Sequence, residues 1–600
     1  MHLGFGKLIW QFQGLPEKEP FVYTSLERPF SYSSWLFAVI YYLSYLAFNF
    51  YGVIILKAVT ITTAFYILIR DSLRSHKNYI IAIVVMTIVV IMARHRFVER
   101  PDTFMMVFLP FSIFSLNAYV YDNKKYIYAL PFVHMLWANS HSSIAIMFIP
   151  FAAFIAGGVL QRYFGQKGLE FSSTPSSSMI RTILIIFIAS FAASLISPYF
   201  ISQYFYGAQS LATPWIKQAI HEIQPPTWQT NKWPYLMTAF IMLSFIIVRK
   251  RFSIIHFFIV VPFIILSFTA IRFVFLLGIV SGPILVRNIS TLCESNSWNN
   301  FLSRKVLTVV TAIWLILYTT LSLMQVKPFD VSNQVFGFGI NYDTIPEGAL
   351  KYMDRHNIKG RIYNNFNWGG YINWRDFPIR TVFADQRWYI PSDLLEGVSA
   401  SLRNEAVLDK LQKKYGFESI LMECPVFHGE SSWALVYWDK KSFLYLKRGG
   451  KYDSVIRRDE YRFVKSPHGE YSIESVGSSK EGEEHFKNGL KAYGKGKLDI
   501  AIDKFKKSIE ANPSIPAPYS NLGYVYLDLG NIDKAYEYQK KSLDIDPNFA
   551  VAHYGLALIY KRRGDIKGAK KHWEEYLRIE PTGYYSQMAK KELKSLKNLQ

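Results

Sequence analysis

Between Tyr79 and Ala93 the chain reads YIIAIVVMTIVVIMA, and from Arg181 it reads RTILIIFIASFAASLI. Such runs approach the roughly 20 residues that a helix needs to cross the hydrocarbon core of a bilayer. Inside that core each backbone N–H and C=O must find its partner within the segment, so these stretches are restricted to helices. They are concentrated before about residue 325; from Lys327 onward, charges recur every few positions and no apolar run is long enough to span. The pattern predicts an α-helical polytopic membrane region followed by a large soluble tail.

Hydrophobic segments fall at about 51–70, 79–93, 102–121, 126–138, 143–161, 179–196, 234–248, 253–269, 271–287 and 306–325, which makes about ten spans. Arg70, Arg74 and Lys77, then Lys124 and Lys125, Arg162 and Lys167, Arg249 to Arg251, and Arg287 with Arg304 and Lys305 occupy alternate loops. Basic residues concentrate on the cytoplasmic side, so these loops are expected there. The loops at 94–101, 139–142 and 197–233 are then outside, together with everything after 326. This topology also accounts for much of the formal charge of +22, so nucleic acid is not needed to explain it. Cys293 and Cys424 fall on opposite sides, and neither a disulfide nor a cysteine metal site follows.

Four regions are expected: 1–50, an outside loop with an interfacial helix; 51–326, the membrane domain; 327–475, a small α/β domain; and 480–600, a repeat domain. The interfacial helix is WLFAVIYYLSYLAF, where Trp35, Tyr41, Tyr42 and Tyr45 suit the headgroup layer. In the α/β region short strands such as RIYNNF, RTVFAD, ESILME and SFLYLKR alternate with helices. Its marked feature is NNFNWGGYINW, where Gly369 and Gly370 allow a tight backbone path between Trp368 and Trp374. Trp368, Tyr371, Asp385 and Arg387 are candidates for a wall facing an acceptor, with an aromatic core turn and a surface ion pair as the structural alternative.

From 482 to 581 a 34-residue period is explicit: Pro513, Pro547 and Pro581 share one phase, Ala501, Ala535 and Ala569 another, and Gly489 and Gly523 are followed by Ala557. Phe505 and Trp573 fill one large-residue position, where Gln539 departs. This resembles the tetratricopeptide pattern of paired antiparallel helices, an α-solenoid of three repeats with a capping helix at about 584–598. Such repeats offer a groove for a protein partner and no chemistry.

Chemistry is more plausible in ARHRFVERPD, which packs Arg94, Arg96, Glu99, Arg100 and Asp102 into nine residues between two spans. Charges this close to a bilayer are costly unless they meet water, each other or a ligand. Arginine on the outside runs against the positive-inside bias and points to an anion such as a lipid phosphate. HMLWANSHSS adds His141, and TAIRFVFLL adds Arg272, for which a hydrogen-bonded structural role and snorkelling are the respective alternatives. Glu222 in HEIQPPTW is a weaker candidate.

Taken in order, HLGFGKLI, LPEKEPFVYT, SSWL, RHRFVERPDTF, LWANSHSS, YNNFNWGGYINW and FADQR resemble bacterial polytopic membrane proteins related to the C-type glycosyltransferase superfamily, many of which end in tetratricopeptide repeats. The resemblance covers residues 1 to about 450. It implies a bacterial inner-membrane protein with its C-terminal domains outside, transferring a sugar from a polyprenyl-phosphate donor to an acceptor on the outer face. An acidic residue of the first outside loop is the base or metal ligand, so a divalent metal is conceivable. The basic residues Arg94, Arg96, Arg100, His141 and Arg272 would hold the donor phosphate. The acid candidates are Glu17 and Glu19, then Glu99 and Asp102. In relatives the first-loop acid precedes the segment matching His2, Leu3 and Gly6, after a first span, so the chain is expected to begin inside an outside loop. Without that acid, the competing expectation is a non-catalytic membrane scaffold. Paired broken helices are not evident, which disfavours a transporter.

Overall fold

The computed structural model describes residues 1–30, 32–75, 77–167, 174–205, 221–248, 252–294, 344–386, 404–425, 431–465, 471–475, 479–513, 515–580 and 585–597. The chain divides into two compact units, one of residues 1–342 with 366–395 and one of residues 343–365 with 396–600.

The first unit is mostly helical. Six helical stretches are long and apolar enough to cross a membrane: Trp35–Ser72, Tyr79–Arg96, Asp102–Asp122, Ser142–Gln166, Ser177–Ser194 and Ile271–Thr291. Trp233–Ile247 and Ile254–Thr269 are apolar but shorter. The expected segment at 126–138 contains a 3-10 turn followed by a helix of only 11 residues, Leu130–Ser140, and the expected span at 306–325 lies outside the described residues. The count of ten therefore becomes six long helices among the described residues. In chain order the first helices are α1 (His2–Phe12), α2 (Trp35–Ser72), α3 (Tyr79–Ala93), α4 (Asp102–Asp122), α5 (Leu130–Ser140), α6 (Phe148–Gln166) and α7 (Ser177–Ser194). Val89, Leu109, Trp137, Phe154, Phe263 and Leu277 form the fully buried centre of the bundle.

α2 is two arms joined at a kink. Phe48 and Asn49 leave helical geometry there; Asn49 takes a positive φ of 55°, and its Oδ1 accepts from the Phe50 N–H at 2.8 Å. WLFAVIYYLSYLAF is thus a separate arm from the apolar stretch that follows it.

The boundary expected at residue 327 is not where the first unit ends, because 366–395 belongs to it. The N-terminal loop pairs with β2 (Arg380–Val382): the Tyr23 N–H donates to the Val382 carbonyl at 3.1 Å, and the Val382 N–H donates to the Phe21 carbonyl at 3.2 Å. Phe21 packs edge-on against both Phe5 and Phe377. The double glycine has a steric cause: a Cβ on Gly369 would lie 2.2 Å from the Ala384 carbonyl oxygen, and one on Gly370 would lie 2.7 Å from the Met1 Cβ.

In the second unit six strands run in the spatial order β1 (Gly360–Asn364), β3 (Ser419–Met422), β5 (Phe443–Lys447), β4 (Trp433–Trp438), β6 (Tyr461–Lys465), β7 (Tyr471–Ser475). β1 and β3 are parallel and the remaining pairs antiparallel. Helices Glu347–Arg355, Glu405–Tyr415 and Asp453–Asp459 accompany them. Asp459 gathers neighbours from three elements, accepting from the Tyr352 hydroxyl at 2.6 Å, from Arg458 at 2.7 Å and from the Asn512 amide at 3.4 Å.

The repeats follow as helix pairs Ser479–Gly494 with Leu498–Ala511, Pro516–Asp528 with Ile532–Ile545, and Ala550–Arg562 with Ile566–Ile579, then a last helix Ser586–Lys597. The turns within the pairs carry Gly496, Gly530 and Gly564 at φ of 70°, 75° and 78°, a 34-residue spacing that only glycine fills without strain. Gln539 departs from the large-apolar pattern without leaving its amide stranded. It is fully buried, its Oε1 accepts from the Ser520 hydroxyl at 2.9 Å, and its Nε2 donates to the Ser520 carbonyl at 3.0 Å.

Candidate functional site

The site lies in the first unit, where α4 begins. Charged residues cluster there because four helix ends meet. α3 ends in a 3-10 turn, Arg94–Arg96; Asp102 opens α4; His141 caps α5; and Arg272 sits in the turn Ile271–Phe273 that precedes the helix Val274–Glu294. The segment His221–Ile223 is tied to the last of these by the Ile271 N–H, which donates to the Gln224 carbonyl at 2.9 Å.

Arg96 is the hub. It is 4% exposed, forms an ion pair with Asp102, and donates from Nη1 to Glu222 Oε2 at 2.8 Å. Arg100 donates to the other Glu222 oxygen at 3.0 Å. Arg272 stands within electrostatic reach of Glu222 and Arg100. Three arginine charges thus face two carboxylates. On the far side of Asp102, His141 Nε2 lies 2.7 Å from Asp102 Oδ1, while His141 Nδ1 accepts from the Ser143 backbone N–H at 3.0 Å. That second bond fixes the tautomer: Nδ1 is the acceptor, so the proton sits on Nε2 and is given to Asp102. Burial, with Arg272 and Arg96 nearby, pushes the His141 imidazole down to about 3, consistent with a neutral ring. Burial also resists ionisation of Glu222, but Arg96 and Arg100 outweigh it and hold the carboxyl below its usual range.

The other candidates separate from this cluster. Glu99 pairs with Lys57 at the surface. Arg94 is half-buried in the 3-10 turn. Glu19 is buried, and its Oε1 accepts from the backbone N–H groups of Phe21 and Val22 at 2.9 and 3.2 Å, so it clasps its own loop. Glu17 is exposed. The four acids considered for catalysis are therefore not one constellation; of them only Asp102 joins the arginines. Trp368 and Asp385 are buried, with Asp385 accepting from Asn373 Nδ2 at 3.1 Å, which is the geometry of a packed turn rather than of an open wall. Tyr371 is half-buried and packs against Trp374, and Arg387 lies outside the described residues. Among the described residues no three His, Cys, Asp or Glu side chains are grouped to hold a metal ion.

Sequence reasoning ranked Glu222 below the acids of the ARHRFVERPD run; it lies 126 residues from Arg96 and 122 from Arg100 along the chain. Its one available signal was being an acid in a loop on the same side as ARHRFVERPD.

Comparison with protein families matches the tetratricopeptide repeat model at residues 517–549. Solved structures similar to the chain include the first TPR domain of Spaghetti (RPAP3) bound to an HSP90 peptide, at 23% identity over 20% of this chain and 96% of that one, with a TM-score of 0.19. The Sgt2 TPR domain from Aspergillus fumigatus aligns at 27% identity over 20% and 78%, also with a TM-score of 0.19. MamA aligns at 28% identity over 17% and 56%, with a TM-score of 0.16. Comparison with curated proteins gave no match. The repeat assignment stands on the family model together with the 34-residue period, and repeats of this kind suggest protein–protein interaction.

Proposed function

We propose that the protein is a membrane glycosyltransferase-like protein that binds a polyprenyl-phosphate sugar at the Arg96 cluster on the extracytoplasmic side and uses its repeats to engage a protein partner. The observation that carries this reading is the convergence of Arg96, Arg100 and Arg272 on Glu222 beside the Asp102–His141 pair. In such a transfer the acceptor oxygen bonds to the anomeric carbon as the bond from that carbon to the donor phosphate breaks, and the acceptor proton goes to a carboxylate. The arginines neutralise the charge left on the departing polyprenyl phosphate. Glu222 is the carboxylate with access, its side chain being 35% exposed while that of Asp102 is 9% exposed. Asp102 and His141 hold Arg96 in place.

A second reading, a non-catalytic membrane-anchored repeat scaffold for an envelope assembly, draws on Glu19. Of the two first-loop acids that could stand in for the family's, Glu19 spends a carboxylate oxygen on its own backbone. The test is binding of a radiolabelled polyprenyl-phosphate sugar to the purified full chain, with transfer to water or sugar acceptors measured alongside. Arg100→Ala and Arg272→Ala each weaken binding by about tenfold or more, the scale of one lost charge-assisted hydrogen bond. Glu222→Gln abolishes transfer while the lipid still binds. Binding without transfer in the wild-type chain leaves the scaffold reading, and binding that ignores both arginines sinks the donor site.

A further inference from the structure

α1 leads away from the Arg96 cluster. His2, at its start, stands within electrostatic reach of Arg100 and His141, and Ile9 lies about 10 Å farther along by the helical rise. There the last turns of α1 and the first arm of α2 border an apolar groove of about 480 Å³, lined by Ile9, Trp10 and Leu15 of the N-terminal segment, by Trp35 and Val39 of α2, and by Pro198. Among the described residues no charged side chain lines it. Asn139 ties this groove to the cluster. Its Oδ1 accepts from the Trp35 indole N–H at 2.9 Å and its Nδ2 donates to the Ile196 carbonyl at 2.8 Å, two residues before His141 meets Asp102. Trp10 and its neighbour Phe12, with Ile196 and Phe200 on either side of Pro198, are each at least half exposed.

We infer that this groove seats the apolar chain of the polyprenyl-phosphate donor, an inference that rests on the donor site proposed at Arg96. The arginines engage the phosphate end alone, and the chain attached to it needs an apolar surface of its own. α1 supplies the direction, from its His2 end beside the cluster to its Ile9 end at the groove. A groove without charged side chains offers nothing to a phosphate or a charged headgroup, which would be left uncompensated there. Four exposed large apolar residues around it mark a surface that meets lipid or ligand. Tryptophans such as Trp10 and Trp35 belong to the headgroup layer of a bilayer, so the chain enters from the membrane side and does not cross water.

The test is binding of two radiolabelled polyprenyl-phosphate sugars to the purified full chain, one with a long chain and one cut to its first isoprene units, with copurifying phospholipid measured by native mass spectrometry. Wild type binds the long-chain donor about tenfold more tightly or better, since each buried methylene is worth about fourfold. Val39→Trp fills the groove and Trp10→Ala strips part of its wall; each brings the long-chain donor towards the affinity of the short one, which itself stays at the wild-type level. Arg100→Ala weakens both donors alike, which separates loss of the phosphate from loss of the chain. Should Val39→Trp unfold, Trp10→Ala, at an exposed position, decides. Equal affinity for the two donors in wild type, or groove variants that weaken both equally, overturns the groove and leaves the donor site standing. Failure of both donors to bind removes the donor reading and the groove assignment with it. Phospholipid that copurifies with wild type and is lost from Val39→Trp, with the preference for the long chain intact, also overturns the proposal, since the occupant is then a bilayer acyl chain.

Discussion

The two ends of α4 solve one problem in different ways. Each buries arginine against carboxylate where a long apolar helix terminates, and each includes a histidine whose tautomer is set by a donor to Nδ1. At the Asp102 end the carboxylates converge on arginine directly: Arg96 touches both Asp102 and Glu222, and Arg100 adds a second contact to Glu222. At the Asp122 end Arg74 likewise touches two carboxylates, Asp71 and Asp122, but the second arginine, Arg287, contacts His256, which leads through Asn117 to Asp71. The first arrangement concentrates charge around one half-exposed carboxylate, as binding or chemistry requires. The second adds to the Arg74 ion pairs a relay of neutral groups, and the whole joins four helices.

The largest effect expected from this difference is at the hub. Arg96→Ala takes the paired arginine from Asp102, whose side chain is 9% exposed and keeps His141, while Glu222 keeps Arg100; removal of one partner of a buried pair costs about 3–5 kcal/mol. A fall of that size in unfolding free energy of the purified chain confirms that Arg96 holds this end together. A fall no larger than that of an exposed arginine breaks the comparison. Asp71→Asn removes the charge and one acceptor oxygen at the end of the relay but leaves Arg74 its contact with Asp122. The expected loss is smaller, about 1–3 kcal/mol, the cost of an imperfectly satisfied buried group. If Asp71→Asn costs more than Arg96→Ala, the relay and not the hub is the tighter structure.

The same contrast shows which parts of the molecule a sequence displays. ARHRFVERPD is contiguous, so its charges announce a cluster, and Arg96, Arg100 and Asp102 do meet. The opposite cluster spans residues 71 to 287, and in the sequence Arg74 and Arg287 are indistinguishable from ordinary topology-setting charges. Asn117 and His256 each sit alone in an apolar run, with nothing in the spacing to bring them together. The repeats were legible because a packing constraint recurs every 34 residues, and even Gln539 stood out as a departure; what the sequence did not show was Ser520 supplying both of its hydrogen bonds. Glu19 misled for the opposite reason, since an acid in a loop looks the same whether it faces a substrate or bonds its own backbone two residues on. Likewise YINW and FAD read as parts of a soluble domain, and long-range contacts, of Tyr45 and Phe50 with Trp374 and of Thr24 with Phe383, place them in the first unit.

Acid titration sharpens the comparison further with a smaller effect. Arg96 and Arg100 hold Glu222 below its unfolded value despite the opposing burial, so its contribution to stability is fully present above the usual carboxylate range. That contribution is lost as pH falls from the unfolded value near 4.5 through the depressed folded one. Glu222→Gln therefore flattens this part of the acid limb in a stability-against-pH series. An unaltered limb shows that Arg96 and Arg100 do not hold Glu222 as an anion.

The smallest effect belongs to the one acid of ARHRFVERPD that escapes the cluster. Glu99 is 45% exposed and pairs with Lys57, which is 23% exposed, so water screens the pair and two long side chains lose freedom to make it. Glu99→Gln is expected to shift stability by no more than about 0.5 kcal/mol and to leave lipid-linked sugar binding at the wild-type level. The comparison with Arg96 matters because both residues come from the same nine-residue run and carry the same prior claim to function. If Glu99→Gln cuts donor binding as strongly as Arg100→Ala does, the site extends outward along α2 to Lys57, and Glu222 loses its place as the accessible carboxylate. If it leaves binding intact, burial against α4 rather than proximity in sequence selects which charges of the run do the work.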